Sequence, residues 1–459
     1  MNASARIDGK SQARLRIAVV GTGIAGLSAS WLLAQGHDVT VFEKSGRLGG
    51  HSNTVDVPLS GVTVPVDTGF IVFNAHTYPN LTALFQHLGV ATQTSEMSFG
   101  VSLEDGLLEY SGGTLVGLFA QWRNIARPRF WSMVTGLVRF YREAPRQLEE
   151  LERSGQTLGQ LLDERGYGLP FRDDHLLPMA GAIWSAAPVA MLDYPAASFV
   201  RFFLNHGLLQ LTNRPLWRTV TGGSRVYVNK LVQSMAAKVR LNAAVHKIER
   251  TTAGVELIGD AGQRESFDHV VIAAHADQAL AMLAMPSPEE RATLGAIRYS
   301  RNLAVLHAYA SLMPQRRKAW SSWNVMRGAT GDDTTLCVTY WMNRLQALNV
   351  TQDLFVTLNP QPFPKGDDIL HTEVYQHPVF DGGALAAQKK LWPLQGLGNT
   401  WFCGAYFGAG FHEDGLQSGL AVAEELGGIM RPWSVAGQSD RIHVTARPAP
   451  ALQPSQMTS

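Results

Sequence analysis

The sequence has few cysteines, no long apolar run and almost no excess of either charge. Its two cysteines, Cys337 and Cys403, lie in apolar, strand-like segments, which indicates buried thiols in a reducing compartment rather than a disulfide or metal site. No stretch of about 18 consecutive apolar residues is present, so no segment is predicted to span a bilayer. A formal net charge of +1 gives no indication of a nucleic-acid partner.

The two ends of the chain differ in composition from its middle. Residues 1–14 are polar and basic and lack the apolar core of a signal peptide, so we expect a loose tail and a cytoplasmic protein. Residues 432–459 are rich in Pro, Ala, Ser and Gln and are predicted to be disordered. The whole chain, with 45% hydrophobic and 17% charged residues, is typical of a globular protein long enough for two domains.

The most informative motif of the sequence is rich in glycine and lies near the N terminus. Residues 17–43 read as a strand, a glycine turn, a helix and a second strand that ends in an acid. In this order, Gly21 permits the tight turn, Gly23 admits a pyrophosphate and Gly26 lets the helix pack on the strand. Glu43 follows about 20 residues later, where a carboxylate accepts hydrogen bonds from a ribose. A dinucleotide site is favoured over a purely structural turn.

The residues after Glu43 indicate which dinucleotide binds. They continue as E-x-x-x-R-x-G-G-x-x-x-T, which resembles the superfamily of flavin-containing amine oxidases, phytoene desaturases and protoporphyrinogen oxidases. His51 stands where many members carry an arginine. The resemblance implies FAD as the cofactor, bound at this end of the chain by Gly21, Gly23, Ile24, Ala25, Gly26, Glu43, Lys44, Arg47, Gly49, Gly50 and His51.

Three later segments extend this resemblance. In one of them, Val245 matches a valine whose backbone pairs with the adenine in the superfamily. A D-x-G element at residues 67–69 matches one that lies near the flavin, although a simple Asp-Thr-Gly turn is the alternative. Residues 399–428 resemble the C-terminal FAD motif. The final helix is expected to start after Gly415, with Asp414 as its N-cap, so that its first amides face the flavin. The resemblance therefore adds Thr68, Gly69, Val245, Gly404, Gly415, Leu416 and Gln417 to the cofactor-binding residues.

Together these motifs predict an α/β fold with a Rossmann-like FAD-binding domain, doubly wound and of amine-oxidase type, and an inserted α+β substrate domain. Successive strand patterns with short connections indicate an antiparallel sheet in the second insertion. The predicted FAD-binding parts are 15–77, 215–290 and 395–431. The substrate domain is predicted at 78–214, mostly helical, and at 291–394.

Two segments of the substrate domain allow two interpretations each. In residues 117–146, arginines are interspersed with aromatic residues. This segment is either a surface that binds anionic lipid or a pair of ordinary helices, divided at Pro128, whose arginines form a solvated face. Residues 181–220 are dense in aromatic and aliphatic side chains, either as the wall of an apolar pocket or as plain core. His206, within this stretch, is expected to be a structural histidine.

Several phrases, among them FLNHGLL, PLWRTVTGGSRVYV and FCGAYFGAGFHEDGLQSG, resemble the predicted NAD/FAD-binding proteins found beside cyclopropane-fatty-acyl-phospholipid synthase in bacteria. This resemblance implies a fatty-acyl lipid substrate and a functional link to that synthase. With such a substrate, the arginine–aromatic segment at residues 117–146 is expected to bring the protein into peripheral contact with the inner membrane face. We therefore expect an FAD-dependent oxidoreductase that dehydrogenates or otherwise modifies a fatty-acyl chain by hydride transfer.

Three other functions stay open. The first is amine oxidation, although residues 299–302 carry no lysine where many amine oxidases have one. The others are redox-neutral isomerisation and a flavin-binding accessory role beside a lipid enzyme. The residues expected to border the reacting atoms, without any metal, are His412, Glu413, Tyr340 and Asn343, with the alternative that His412 and Glu413 only cap and position the final helix.

Overall fold

The computed structural model describes residues 14–59, 61–184, 187–210, 214–328 and 337–445. The strands are β1 (Arg16–Val20), β2 (Asp38–Phe42), β3 (Thr54–Leu59), β4 (Val62–Asp67), β5 (Phe73–Asn74), β6 (Thr92–Thr94), β7 (Phe99–Leu103), β8 (Leu108–Ser111), β9 (Trp217–Val220), β10 (Lys238–Arg240), β11 (Val245–Thr251), β12 (Gly254–Gly259), β13 (Arg264–Phe267), β14 (His269–Ile272), β15 (Arg298–His307), β16 (Trp323–Arg327), β17 (Cys337–Trp341), β18 (Phe355–Leu358), β19 (Ile369–Val379) and β20 (Thr400–Phe402).

The α-helices are α1 (Ile24–Leu33), α2 (Pro79–His87), α3 (Leu115–Leu118), α4 (Pro128–Ser154), α5 (Leu158–Glu164), α6 (Leu169–Phe171), α7 (Leu177–Trp184), α8 (Ala196–Asn205), α9 (Arg225–Gln233), α10 (Ala276–Met282), α11 (Pro288–Leu294), α12 (Met342–Leu345), α13 (Gly382–Leu391) and α14 (His412–Gly427). A 3-10 helix, Trp122–Ala126, precedes α4. As the sequence predicts, α4 begins at Pro128, because proline is tolerated in the first turn of a helix.

A parallel five-stranded sheet in the order β10-β2-β1-β14-β20 forms the first domain. Val19, in the central strand, pairs with Val41 on one side and Val271 on the other, and all three are fully buried. Continuous apolar strands of this kind need cover on both faces of the sheet. The strands come from all three predicted FAD-binding segments, so the α/β fold class is confirmed.

A seven-stranded sheet in the order β19-β15-β18-β17-β16-β7-β8 forms the floor of the inserted domain. The antiparallel sheet predicted for the second insertion is confirmed, because β15 to β19 pair with one another only in antiparallel fashion. The first insertion adds β7, which pairs with β16 in parallel, with Val325 opposite Val101. β7 and β8 come from the first insertion, which is therefore less helical than expected. A strand that returns after a long excursion is free to join an edge in either direction.

Two glycines let the last helix rest directly on the first. A Cβ atom on Gly419 would lie 2.2 Å from the Ala25 carbonyl oxygen, and one on Gly415 would lie 2.9 Å from the Cγ2 of Ile24. Any side chain at Gly419 would therefore push α14 away from α1. This contact brings the two glycine motifs together although they lie at opposite ends of the sequence.

The segment after α14 packs back on the protein. Trp433 stacks on Trp31 with ring centroids 5.7 Å apart. The Nε of Arg441 lies 2.6 Å from a carboxylate oxygen of the buried Asp414. The prediction of a disordered tail is thus wrong for residues 432–445, because these side chains complete buried contacts, whereas residues 446–459, like residues 1–13, lie outside the described residues.

Both cysteines are buried and free. Among the described residues, no group of three or more His, Cys, Asp and Glu side chains is arranged to hold a metal ion. No described helix combines the length and the apolar composition needed to cross a membrane.

Candidate active site

The three glycines of the first motif have different surroundings. Gly21 has a φ of +103°, and a Cβ there would lie 2.6 Å from the Ala273 carbonyl oxygen. A Cβ on Gly26 would lie 2.0 Å from the Gly21 carbonyl oxygen. A Cβ on Gly23, by contrast, would meet no atom within 4 Å. The fold itself therefore requires Gly21 and Gly26, while Gly23 borders open space at the N terminus of α1, beside Ile24 and Ala25.

The second glycine pair closes over the first motif. Gly50 has a φ of +56°, and a Cβ there would lie 3.1 Å from the Cα of Gly23. Arg47 holds this loop, because its Nη1 donates to the Gly50 carbonyl oxygen at 2.7 Å. Its Nη2 lies 3.6 Å from Glu373 of the inserted domain. The two glycine motifs thus form one cradle, and Arg47 ties it to the neighbouring domain.

Glu43 lies at the end of β2, where its carboxylate collects donors from both sides. One oxygen accepts from the Thr22 amide at 3.0 Å and from its hydroxyl at 2.5 Å. The other accepts from the amide and the hydroxyl of Ser45, each at 2.9 Å. Hydroxyl hydrogens can rotate away, so two ribose hydroxyls can replace these side-chain donors while the amides hold the acid in place.

Two further predicted residues lie beside Glu43. The Ala243 amide donates to the Glu43 carbonyl oxygen at 2.9 Å, and Val245 begins β11 two residues later. Val245 therefore lies close to Glu43, and its contact with adenine stays a prediction. Lys44 follows Glu43 directly and has an exposed side chain.

The final helix begins earlier than the sequence predicts. Helix α14 starts at His412 with Phe411 as N-cap, and the Asp414 carboxylate accepts from the Phe411 amide at 2.7 Å. The prediction that Asp414 is the N-cap, with Leu416 and Gln417 offering the first amides, is therefore wrong by about one turn. By helix geometry, the amides without an intrahelical acceptor belong to His412 and Glu413.

His412 joins this helix terminus to the second glycine motif. Its ring stacks on Phe70 with centroids 3.9 Å apart, and its Nε2 lies 2.6 Å from the Tyr227 hydroxyl. That hydroxyl is 2.5 Å from the Ser52 hydroxyl, two residues after Gly50. Burial lowers the pKa of His412 to about 3, so the imidazole is uncharged at neutral pH.

Glu413 has a structural task in another helix. Its carboxylate accepts from the Asn80 amide at 3.0 Å, the Asn80 side chain at 2.8 Å and the Leu81 amide at 3.0 Å. These donors include the first-turn amides of α2. These contacts support the alternative that Glu413 positions the final helix, although it caps α2 and not its own helix, and they direct its carboxylate at α2 rather than at a substrate.

Three histidines and a tyrosine, which we call the imidazole group, lie where the cradle meets the inserted domain. The His51 ring centroid is 4.9 Å from that of Tyr375, 5.5 Å from that of His377 and 6.2 Å from that of His275. Burial is the main cause that lowers the pKa of all three histidines, to about 4 for His377. The group is therefore uncharged at neutral pH.

The strand β15 supplies the partner of His377. The Asn302 side-chain nitrogen lies 3.0 Å from the Nδ1 of His377, and Asn302 is buried. Tyr375, on the same strand as His377, shares a hydrogen bond of 2.8 Å with the Thr68 hydroxyl. A Cβ on Gly69 would lie 3.3 Å from the Tyr375 ring, so the D-x-G element packs directly on the imidazole group.

Similarity to known proteins shows to which family the chain belongs. The family model described as flavin containing amine oxidoreductase matches residues 24–345. The chain belongs to this family. AofH of Mycobacterium tuberculosis, named as a flavin-containing monoamine oxidase, is 30% identical over 274 residues, covering 54% of this chain and 55% of AofH. Coproporphyrinogen III oxidase of Mycobacterium leprae is 28% identical over 295 residues, covering 59% and 62%.

The chain thus spans little more than half the length of the curated relatives it matches. Among solved structures, putrescine oxidase bound to putrescine superposes with a TM-score of 0.65 at 15% identity, covering 90% of this chain and 99% of that one. A CLA-producing fatty acid isomerase from P. acnes gives 0.63 at 15% identity, covering 90% and 98%. At these identities the likeness establishes a shared fold.

FAD, the cofactor of this family, fits the cradle. Gly23 leaves the open space that a diphosphate needs beside the N terminus of α1, where the helix dipole favours negative charge. Glu43 offers a carboxylate to a ribose, and the first amides of α14 are available to an electron-rich ring edge. These three features lie on one continuous surface, since Gly50 touches Gly23 and Ser52 leads on to Tyr227 and His412.

A buried apolar cluster continues from Tyr375 of the imidazole group into the inserted domain. Tyr340, expected at the site, belongs to this buried cluster together with Ile71, Val72, Trp323 and Tyr375. Asn343 does not reach the site, because its side chain accepts from the Leu354 amide at 2.8 Å and donates to the Gln352 carbonyl oxygen at 2.8 Å. The catalytic role expected for Asn343 is therefore wrong, and the residue shapes a loop instead.

The aromatic stretch after residue 181 forms core. Phe199 and Phe203 are fully buried and stack on each other at 4.2 Å, while Phe202 reaches Phe411 at 4.8 Å. Sequence reasoning missed Phe70, Tyr227, His275 and Tyr375. No local pattern marks these residues, because each reaches the site through contacts with residues far away in the chain.

Proposed function

We propose that the protein is an FAD-dependent oxidoreductase that dehydrogenates or otherwise modifies a fatty-acyl chain. The observation that carries this proposal is the apolar, uncharged surroundings of the imidazole group. Tyr375 packs in one buried apolar cluster with Trp323 and Tyr340, and burial keeps His377 and His412 uncharged. Such a surface suits a long uncharged chain and excludes water from it.

The distribution of charge supports the same substrate class. The surroundings that lower the pKa of His377 to about 4 would also oppose a positive charge on a bound ligand. Glu373, a carboxylate beside the imidazole group, already faces Arg47 and lies 3.7 Å from His371. Glu413 and Asp414 are used by α2 and by Arg441. A permanently cationic substrate would therefore find little compensation here.

FAD, when bound, supplies a two-electron acceptor that takes up a hydride. The protein must then hold two carbons of the chain in place and receive the remaining proton when a saturated pair becomes a double bond. His377 is an uncharged imidazole whose Nδ1 accepts from the Asn302 side chain at 3.0 Å, so its own proton is on Nε2, and it can take up the remaining proton only where Asn302 releases Nδ1. His412 is held between Phe70 and Tyr227 and is better suited to positioning.

Amine oxidation is the second candidate, supported by the sequence similarity to AofH. It would require the amine to enter in its neutral form. The strand β15 offers Asn302 and Ser300 beside His377, and it carries no lysine. Isomerisation of an unsaturated chain without net oxidation would use the same apolar site, and the structurally similar fatty acid isomerase makes it a third outcome to test.

The test is anaerobic mixing of the FAD-loaded protein with oleoyl-phosphatidylglycerol, oleic acid, putrescine or benzylamine. Loss of the flavin's visible absorbance and a new double bond, detected by mass spectrometry of the lipid, are expected with an acyl substrate. Reduction by the amines alone would overturn the substrate class. A shifted double bond with the flavin still oxidised at the end would establish isomerisation. No reaction with any lipid or amine would favour the accessory role.

A further inference from the structure

Much of the surface between residues 107 and 142 is apolar and exposed. Leu115 is 75% exposed, Trp122 72% and Val116 64%, which is unusual for large apolar side chains that lie close together in the sequence. Leu115 and Val116 belong to α3, and Trp122 belongs to the 3-10 helix that precedes α4. We name as the arginine–apolar surface the exposed residues Leu107, Leu115, Val116, Trp122, Arg123, Ile125, Trp131 and Arg142, together with the partly exposed Arg127.

Contacts within this surface make it continuous and fixed. The Trp131 indole nitrogen donates to the Ile125 carbonyl oxygen at 2.8 Å, and Arg127 donates to the Leu107 carbonyl oxygen at 2.5 Å. Phe130 and Met133 lie beneath, with at most 1% exposure. The exposed side chains are therefore presented by a well-packed support. Beside Trp131, the outer face of α4 also carries a shallow groove of about 350 Å³.

The exposed charges of the segment have one sign. Residues 107–142 contain five arginines and one acid, Glu109, which is buried and paired with Arg316. Two of the arginines have acidic partners, since Arg129 pairs with Asp174 and Arg139 with Glu143. In the described chain, Arg123, Arg127 and Arg142 form no ion pair with a carboxylate. Three cationic groups are thus left for a partner outside the molecule.

We propose that the arginine–apolar surface docks the protein on an anionic lipid bilayer. Tryptophan and aliphatic side chains gain free energy at the boundary between headgroups and acyl chains, and unpaired arginines are attracted by anionic headgroups. Large apolar patches also occur at protein interfaces. A surface that surrounds exposed Trp, Leu and Val with arginines and no acidic side chain favours a lipid over a protein as its partner, because a protein partner would have to supply several buried carboxylates.

The test uses the full-length, FAD-loaded protein and flotation with vesicles of phosphatidylglycerol or of phosphatidylcholine alone. Binding is expected with phosphatidylglycerol at low salt, and it should weaken as salt is added, because the attraction is screened over about 8 Å at physiological ionic strength. Replacing Arg123, Arg127 and Arg142 with Gln should lower the partition coefficient roughly a hundredfold, since each charge near an anionic surface contributes about 1 kcal/mol.

Two control proteins separate this surface from general charge effects. The three Arg→Lys substitutions keep the charge and should retain binding within a few-fold. Replacing Lys365, Lys389 and Lys390 with Gln removes the same amount of positive charge from another part of the protein and should leave binding unchanged. Lys365 precedes β19, which forms the edge of the seven-stranded sheet opposite to β8. Trp122→Ala should weaken binding without altering its dependence on salt.

Absence of binding to phosphatidylglycerol vesicles at low salt would overturn the proposal, and so would equal loss of binding in the Lys365, Lys389 and Lys390 variant. A surface that serves a protein partner would give the first of these results. The proposal does not rest on the chemistry proposed above. Flavin reduction by a dispersed substrate can be measured on the same preparation as vesicle binding. A failure of the proposed chemistry is therefore distinguishable from a failure of the proposed membrane docking.

Discussion

Replacement of Gly23 with alanine should separate cofactor binding from folding. Gly23 is the N-cap of α1 with φ −63° and ψ 174°, a conformation that alanine adopts easily, and its new methyl group would meet no protein atom within 4 Å. Replacing glycine with alanine at a compatible position stabilises a protein by about 0.4–1 kcal/mol, and a weaker N-cap costs a few tenths. The free energy of unfolding of the apoprotein should therefore change little.

FAD binding should respond strongly to the same methyl group. It would stand in the open space that the diphosphate needs to reach the first amides of α1. Hydrogen bonds to a charged group contribute about 1.5–3 kcal/mol each, so loss of one such bond raises the FAD dissociation constant roughly tenfold to a few hundredfold. Titration of apoprotein with FAD, followed by flavin fluorescence, measures this constant, and thermal unfolding of the apoprotein measures stability.

Two other glycines serve as matched controls for Gly23→Ala. Gly26→Ala would place a Cβ 2.0 Å from a backbone oxygen, so it should destabilise or prevent folding. Gly382→Ala, in the first turn of α13, meets nothing within 4 Å and should alter neither stability nor FAD affinity. A Gly23→Ala protein that binds FAD as tightly as the wild type would refute the placement of the diphosphate beside Gly23.

Four further outcomes are expected. Glu43→Gln should weaken FAD binding about tenfold or more, because the ribose hydroxyls lose a charged acceptor. His412→Phe should keep the rate of flavin reduction within a few-fold, because the His412 ring is stacked on Phe70 and its Nε2 is bound to the Tyr227 hydroxyl, which makes it a positioning residue. Arg441→Ala should lower the free energy of unfolding by about 3 kcal/mol, because Asp414 is left buried without its cation. The free energy of unfolding should fall as the pH drops from 6.5 to about 5, because burial lowers the pKa of His377 to about 4 and the unfolded chain alone then binds the proton.

Each of these outcomes has its own control. The Glu43→Asp substitution keeps the charge and should recover part of the affinity, and a hundredfold slower reduction in His412→Phe would return His412 to the mechanism. The double variant Asp414→Asn with Arg441→Ala should recover stability relative to Arg441→Ala alone. For the pH effect, the difference between wild type and His377→Phe is measured, because Asp67, whose pKa burial raises to about 6, acts in the opposite direction.

The local motifs were predictable from the sequence because their chemistry is local. Gly21, Gly23, Gly26 and Glu43 are fixed by one strand, one turn and one helix, and the spacing of such elements is written in consecutive residues. The start of α4 at Pro128 is local for the same reason. The start of α14 was misjudged, because Asp414 and Gly415 carry N-cap character, whereas the helix begins at His412 and Asp414 accepts from the amide of the N-cap Phe411 from within the first turn.

Only the tertiary structure decided the substrate side of the site. His51, Tyr227, Tyr375 and His412 come from four separate segments, and their contacts depend on how α14 and the inserted sheet rest on the cradle. The same holds for Glu413, whose carboxylate accepts hydrogen bonds from α2. It holds as well for residues 432–445, which supply a partner for the buried Asp414 although their composition is that of a disordered tail. Sequence patterns record which face of an element is apolar, whereas contacts between distant segments depend on the packing of the whole chain.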